Sequence, residues 1–214
     1  METKARHALQ RELSKELKRQ SADTLWRCAK GTLFIEVEGW FVSVISHTNL
    51  LRREVAVVVK SKPMALDPIF WRIVDLPKNN GLPLSFSAHG AWICYTPAVN
   101  ELALNDDDRT PKAVAQDVIA WANLQLSLQR TRGSLTSFLD QVRLANNPWY
   151  LPTEITTLIL VNRLMEARNI CSDARARGEV GVFNVRGVGN FIEMASKLVD
   201  ELLAIPSAVD TAAN

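Results

Sequence analysis

The chain has 214 residues, 47% of them hydrophobic and 22% charged, the balance of an ordinary folded globular protein. Its 25 Lys and Arg against 23 Asp and Glu leave a net charge of +2, which lacks the large one-sided positive excess of a dedicated nucleic-acid binder. No stretch reaches the ~18 apolar residues of a membrane span. The N-terminal sequence METKARHALQRELSKELKRQ is charged throughout and carries no apolar secretory run, so a cytoplasmic location is expected. Cys28, Cys94 and Cys171 are an odd, widely spaced set with no Cys-x-x-Cys or His-x-x-x-His pair beside them. They are expected as reduced thiols, in neither a disulfide framework nor a zinc site.

In chain order, Ala5, Leu9, Leu13 and Leu17 recur every four residues and predict a helix over 2–20 with one narrow apolar stripe. Arg11, Lys15 and Lys18 lie among its polar residues and are read as a partner-binding face. Residues 25–59 read as strands. Leu33, Ile35 and Val37 alternate with Phe34 and Glu36, Glu38-Gly39 marks a turn, and Trp40, Val42 and Val44 resume the alternation. The run Val55-Ala56-Val57-Val58-Val59 predicts a central strand buried on both faces. Short connections make the set an antiparallel meander.

Pro63, Pro68, Pro77 and Pro83 predict an irregular segment over 60–83, with a short element near Ile69–Leu76. The aromatics of 84–95, LSFSAHGAWICY, suggest a further strand around a His89-Gly90 turn. Residues 96–109 read as a long polar loop. Thr110 and Pro111 then cap and start a helix with Val114, Ala115, Val118, Ile119, Ala122 and Leu126 on one face. Three more helices follow: about 134–145, a second from Thr153 through Met165, and a last over 190–205 that Pro206 ends. Strands followed by helices give an α+β fold: an N-terminal helix, a meander of about four strands, then helices. The expected division is a core over 1–132 and a mainly helical extension over 133–214, with a disordered tail at 207–214.

No Gly-x-Ser-x-Gly elbow accompanies His7, His47 or His89. Asp106-Asp107-Asp108 suits the start of the following helix, where anions are favoured, better than a cation site. Cys94 follows a histidine-bearing turn and precedes a polar loop and a capped helix, a setting in which a thiolate is stabilised.

The stretch His89-Gly90-Ala91-Trp92-Ile93-Cys94-Tyr95, followed by Glu101 to Pro111 and an amphipathic helix, resembles the catalytic segment of bacterial ubiquitin-conjugating-like enzymes. Those enzymes occur in antiphage operons, including the CBASS type. The resemblance implies a conjugating-enzyme-like core over 1–132. It implies that Cys94 carries a protein C-terminus as a thioester and passes it to an amine, with His89 and Asp107 assisting. The implied partners are an activating, adenylating enzyme and a ubiquitin-like modifier, and neither metal nor organic cofactor is required. The chain departs from the family's His-Pro-Asn turn, so the oxyanion donor is unassigned.

Two other readings stand beside this one. The chain is a non-catalytic interaction or immunity-type protein on an α+β scaffold, or a weak nucleic-acid binder using its basic first helix. Thiol exposure separates them, because a conjugating enzyme needs Cys94 open on a groove and a packing cysteine is buried.

Overall fold

The computed structural model describes residues 2–49, 54–85, 94–105, 109–129, 134–182, 184–185 and 189–205. The protein is α+β: an N-terminal helix, a five-stranded antiparallel meander and a helical C-terminal half. The chain forms two compact units. One comprises 1–64 and 96–133, the other 65–95 and 134–214. Each has its own apolar core.

In the first unit, α1 (Glu2–Ser21) precedes β1 (Arg27–Ala29), β2 (Thr32–Val37), β3 (Trp40–Asn49), β4 (Glu54–Pro63) and β5 (Ala98–Asn105), which lead to α3 (Pro111–Gln129). The five strands lie in sequence order. Two tight hairpins set the register. Lys30 and Gly31 between β1 and β2, and Glu38 and Gly39 between β2 and β3, all have positive φ, from 50° to 79°. Paired positive φ values match the right-handed twist of the flanking strands. Leu33 then faces Val44, which faces Val59, so their side chains share one side of the sheet. Leu13 and Leu17 of α1, with Val114, Ala115, Val118 and Ala122 of α3, close over that side. Full burial of each Leu or Val contributes about 1.5–3 kcal/mol, which makes the narrow α1 stripe sufficient to dock the helix.

Gln10 extends this docking with polar bonds. Its Nε2 donates to the Ser46 carbonyl at 3.1 Å, and its Oε1 accepts from the Thr48 N–H at 2.9 Å. Nearby, Gly31 comes so close to α1 that an added Cβ would lie 2.4 Å from the Ser14 hydroxyl oxygen. Gly31 also has φ +76°. Gly31→Ala is therefore expected to cost about 2 kcal/mol, from backbone strain and lost α1 packing together. Denaturant unfolding checks it, and a cost no larger than that of Gly81→Ala, where nothing lies within 4 Å, contradicts it.

The strand Val55–Val59 differs from expectation. Val55, Val57 and Val59 are buried, while Ala56 and Val58 are half-buried, because only one side of the sheet carries α1 and α3. The further strand suggested by the aromatics of 84–95 falls mostly on residues that are not described. Residues 86–93 lie outside the described residues, and Cys94 to Pro97 carry no strand pairing. β5 occupies 98–105, inside the segment read as a loop. Its signal was the alternation of Leu102 and Leu104 with Glu101, Ala103 and Asn105.

The second unit contains α2 (Leu66–Ile73), α4 (Leu135–Leu144), α5 (Leu151–Leu160), α6 (Leu164–Ala176) and α7 (Phe191–Leu203), with a two-stranded ribbon of β6 (Asn184–Val185) and β7 (Gly189–Asn190). The helix expected from Thr153 through Met165 is two helices. Asn162 adopts φ +58°, and the Arg163 N–H returns to the Leu158 carbonyl at 2.8 Å, a helix-ending pattern that asparagine tolerates. Asn190 starts α7 with a reciprocal cap, its side chain accepting from the Glu193 N–H while Glu193 accepts from its own N–H. Phe70 stacks on Phe191 at 5.8 Å between ring centroids, at the middle of this core.

Candidate functional site

Cys94 belongs to the second unit and is 1% exposed. It sits in the core that holds Phe70, Ile155, Leu158 and Phe191. The residue after it is fixed from two sides. The Thr153 hydroxyl of α5 donates to the Tyr95 carbonyl at 2.6 Å, and the Tyr95 ring meets Trp149 edge-on at 5.8 Å. A sulfur enclosed this way cannot reach the bulky C-terminus of a modifier protein, so its placement matches a packing cysteine. His89 and Asp107, the residues expected to assist it, lie outside the described residues.

Cys171 of α6 is fully buried in the same core, and burial pushes its thiol up from 9.0 to about 11. The Arg175 guanidinium works against that rise and the Asp200 carboxylate adds to it. Above pH 9 the unfolded thiol ionises while the buried native one is held protonated, so rising pH favours the unfolded chain. The thiol's contribution to stability is complete below pH 9 and is lost as pH rises toward 11, by about 2 kcal/mol. Comparing wild type with Cys171→Ala, the stability gap is expected to narrow by that amount between pH 9 and 11. A gap that stays constant with pH contradicts the shift. Cys28, on β1, is half-buried, and burial also raises its thiol. All three cysteines are free of disulfides.

Arg11, Lys15 and Lys18 are exposed on α1, as a partner-binding face requires. Carboxylates interleave them: Lys15 pairs with Glu12 at 2.9 Å, and Arg19 with Glu16 at 2.7 Å. The helix thus presents a mixed charge pattern, unlike the continuous basic stripe that tracks a phosphate backbone.

A broad, open-sided concavity belongs to the helical unit. It is a groove of about 960 Å³ between α2, the α5–α6 turn and the end of α7. Ile69, Leu164, Leu198, Leu202 and Leu203 supply its apolar lining. Met165 and Ile205 line it while remaining 56% and 63% exposed. The rim is charged. Arg163 pairs with Glu166 at 2.5 Å, and Arg72 approaches Glu201 at 3.8 Å. Glu166 also receives Arg143, which bonds Glu154 at 2.8 Å. Burial alone would raise the Glu166 carboxyl, but the two guanidiniums outweigh it and hold its pKa below the usual range.

None of the groove residues was read as a site from the sequence, where Ile69 and Met165 served only as positions in predicted elements. The signal available was the apolar Met165 within a polar stretch and the Leu202-Leu203 pair at the helix end, neither of which separates a groove from a core. Among the described residues no cluster of three or more His, Cys, Asp or Glu could hold a metal ion, and no helix is long and apolar enough to cross a membrane. Comparison with models of known protein families, with curated proteins and with solved structures finds no match to this chain.

Proposed function

We propose that the protein is a non-catalytic interaction protein whose helical unit takes up an amphipathic helix from a partner in the groove of α2, α6 and α7. The observation that carries this reading is the wide, apolar, open-sided groove with Met165 and Ile205 left in solvent. Exposed apolar side chains grouped in one concavity are costly unless something covers them. A helix lays its apolar face into such a groove through residues one turn apart, and methionine adapts to its partner's shape. The charged rim then orients the bound helix through its polar flank. The thioester reading on Cys94 remains the rival and needs a sulfur that a protein C-terminus can reach.

A photo-crosslinking amino acid at position 165 distinguishes the two. The expected result in cells is a discrete protein adduct that is unchanged by Cys94→Ala and by combined Arg11→Glu, Lys15→Glu and Lys18→Glu. Leu202→Asp should remove it while the fold is retained. Absence of that adduct, together with a reductant-sensitive, ATP-dependent adduct that Cys94→Ala removes, would return the assignment to ubiquitin-like conjugation with an activating enzyme as partner.

A further inference from the structure

Asn80-Gly81 is the one Asn-Gly pair in the chain. It closes a 3-10 turn over Pro77–Gly81, which follows α2 in the helical unit and buries none of its residues. Asn80 and Gly81 are both exposed, and the Asn80 side chain makes no hydrogen bond among the described residues. Gly81 stands in open space, since a Cβ added there would meet nothing within 4 Å. Several other asparagines are engaged through their side-chain oxygens. Asn147 accepts from the Trp149 N–H at 3.0 Å, Asn123 from the Trp26 indole at 2.9 Å, and Asn190 from the Glu193 N–H at 3.0 Å.

We infer that Asn80 is a site of spontaneous covalent modification, at which its amide becomes isoaspartate and aspartate through a cyclic imide formed with Gly81. The Gly81 backbone nitrogen gives up its proton to water or hydroxide and attacks the Asn80 side-chain carbonyl carbon. The new N–Cγ bond replaces the Cγ–Nδ2 bond, and the amide nitrogen leaves as ammonia. Water then opens the five-membered imide. Opening at the main-chain carbonyl gives isoaspartate, and opening at the side-chain carbonyl gives aspartate. In sum, an amide and water become a carboxylate and ammonium.

Gly81 permits the ring closure. Without a Cβ nothing shields its nitrogen, and glycine reaches the non-helical conformations that the attack requires. The turn must open for this to happen. Hydrogen-bond geometry is poorer in a 3-10 turn than in an α-helix, and no buried side chain holds this one shut, so its opening is a local fluctuation of low cost. Its closing bond, from the Leu82 N–H to the Asn79 carbonyl, is at the long end of the usual range at 3.2 Å. Isoaspartate adds a carbon to the main chain inside that bonded loop, so the turn cannot re-form unchanged. It also places a carboxylate near the exposed Lys78 and lowers the net charge of +2 by one.

The test is prolonged incubation of the full chain at neutral and mildly alkaline pH, followed by peptide mass spectrometry with chromatographic separation of isoaspartyl and aspartyl products. The Asn80 peptide is expected to convert before those of Asn123, Asn147 and Asn190, to yield both products with isoaspartate in excess, and to react faster as pH rises. Gly81→Ala fits the open space and should keep the circular dichroism spectrum while slowing conversion at least about tenfold, because the methyl group crowds the attacking nitrogen and restricts the backbone. Retention of the Asn80 amide for as long as that of Asn123 overturns the inference. So does a product that is aspartate alone, which would mean direct hydrolysis, or a rate that Gly81→Ala leaves unchanged.

Discussion

In the native protein Cys28 is expected to react with an aromatic disulfide reagent, while Cys94 and Cys171 react only when the helical unit opens. The thiolate is the reacting species, and both its fraction and its accessibility matter. Cys28 is half-buried at the edge strand β1, so its raised pKa slows the reaction without blocking it. Cys94 is 1% exposed and Cys171 fully buried, both in the core around Phe70 and Phe191. Their labelling requires an opening fluctuation of that core, which should slow it at least about a hundredfold relative to Cys28. Reagent consumption at mildly alkaline pH should show one equivalent before denaturant and three after. Cys28→Ala should remove the early equivalent, and Cys94→Ala should leave it. Cys94 labelling as fast as Cys28 would place its sulfur within reach of a protein C-terminus and revive the thioester mechanism.

Phe70→Ala is expected to be among the most damaging single substitutions in the helical unit, costing about 3–5 kcal/mol. Phe70 is fully buried, stacks on Phe191 with rings 17° apart, and meets Trp71 edge-on at 5.2 Å. It joins α2 to α7, and both pack with α5 in the same core. Removing the ring leaves a cavity in that core. A loss of that size is comparable with the whole stability of a small unit. Hydrogen exchange locates the effect. Amides of α2, α5, α6 and α7 should lose protection first, while α1 and β2–β4, which belong to the other core, keep theirs. Loss confined to the sheet, or a cost below about 1 kcal/mol, contradicts the assignment of Phe70 as the keystone of this core.

Periodicity in the chain determined much of the architecture by itself. The stripe of Leu9, Leu13 and Leu17, the alternation through β2 and β3, and the Thr110-Pro111 start of α3 are local patterns, and each element formed where its pattern predicts. The Glu38-Gly39 hairpin belongs to the same class, because glycine accepts positive φ without steric cost. The interleaving of the two units is of a different kind. Residues 65–95 group with the C-terminal helices although they lie between β4 and β5 in the chain. Only tertiary packing decides that, since an apolar helix such as α2 carries no mark of which core will bury it. The same limit governed Cys94. Its neighbours in sequence set a histidine-bearing turn on one side and a polar segment on the other, which favoured a reactive thiol. In the fold it is buried in the core that also holds Phe70, Ile155 and Phe191, residues brought from three separate helices. The groove follows the same rule. Hydrophobicity read along a chain gives the sum of buried and exposed apolar surface, and the fold alone determines which part is left for a partner.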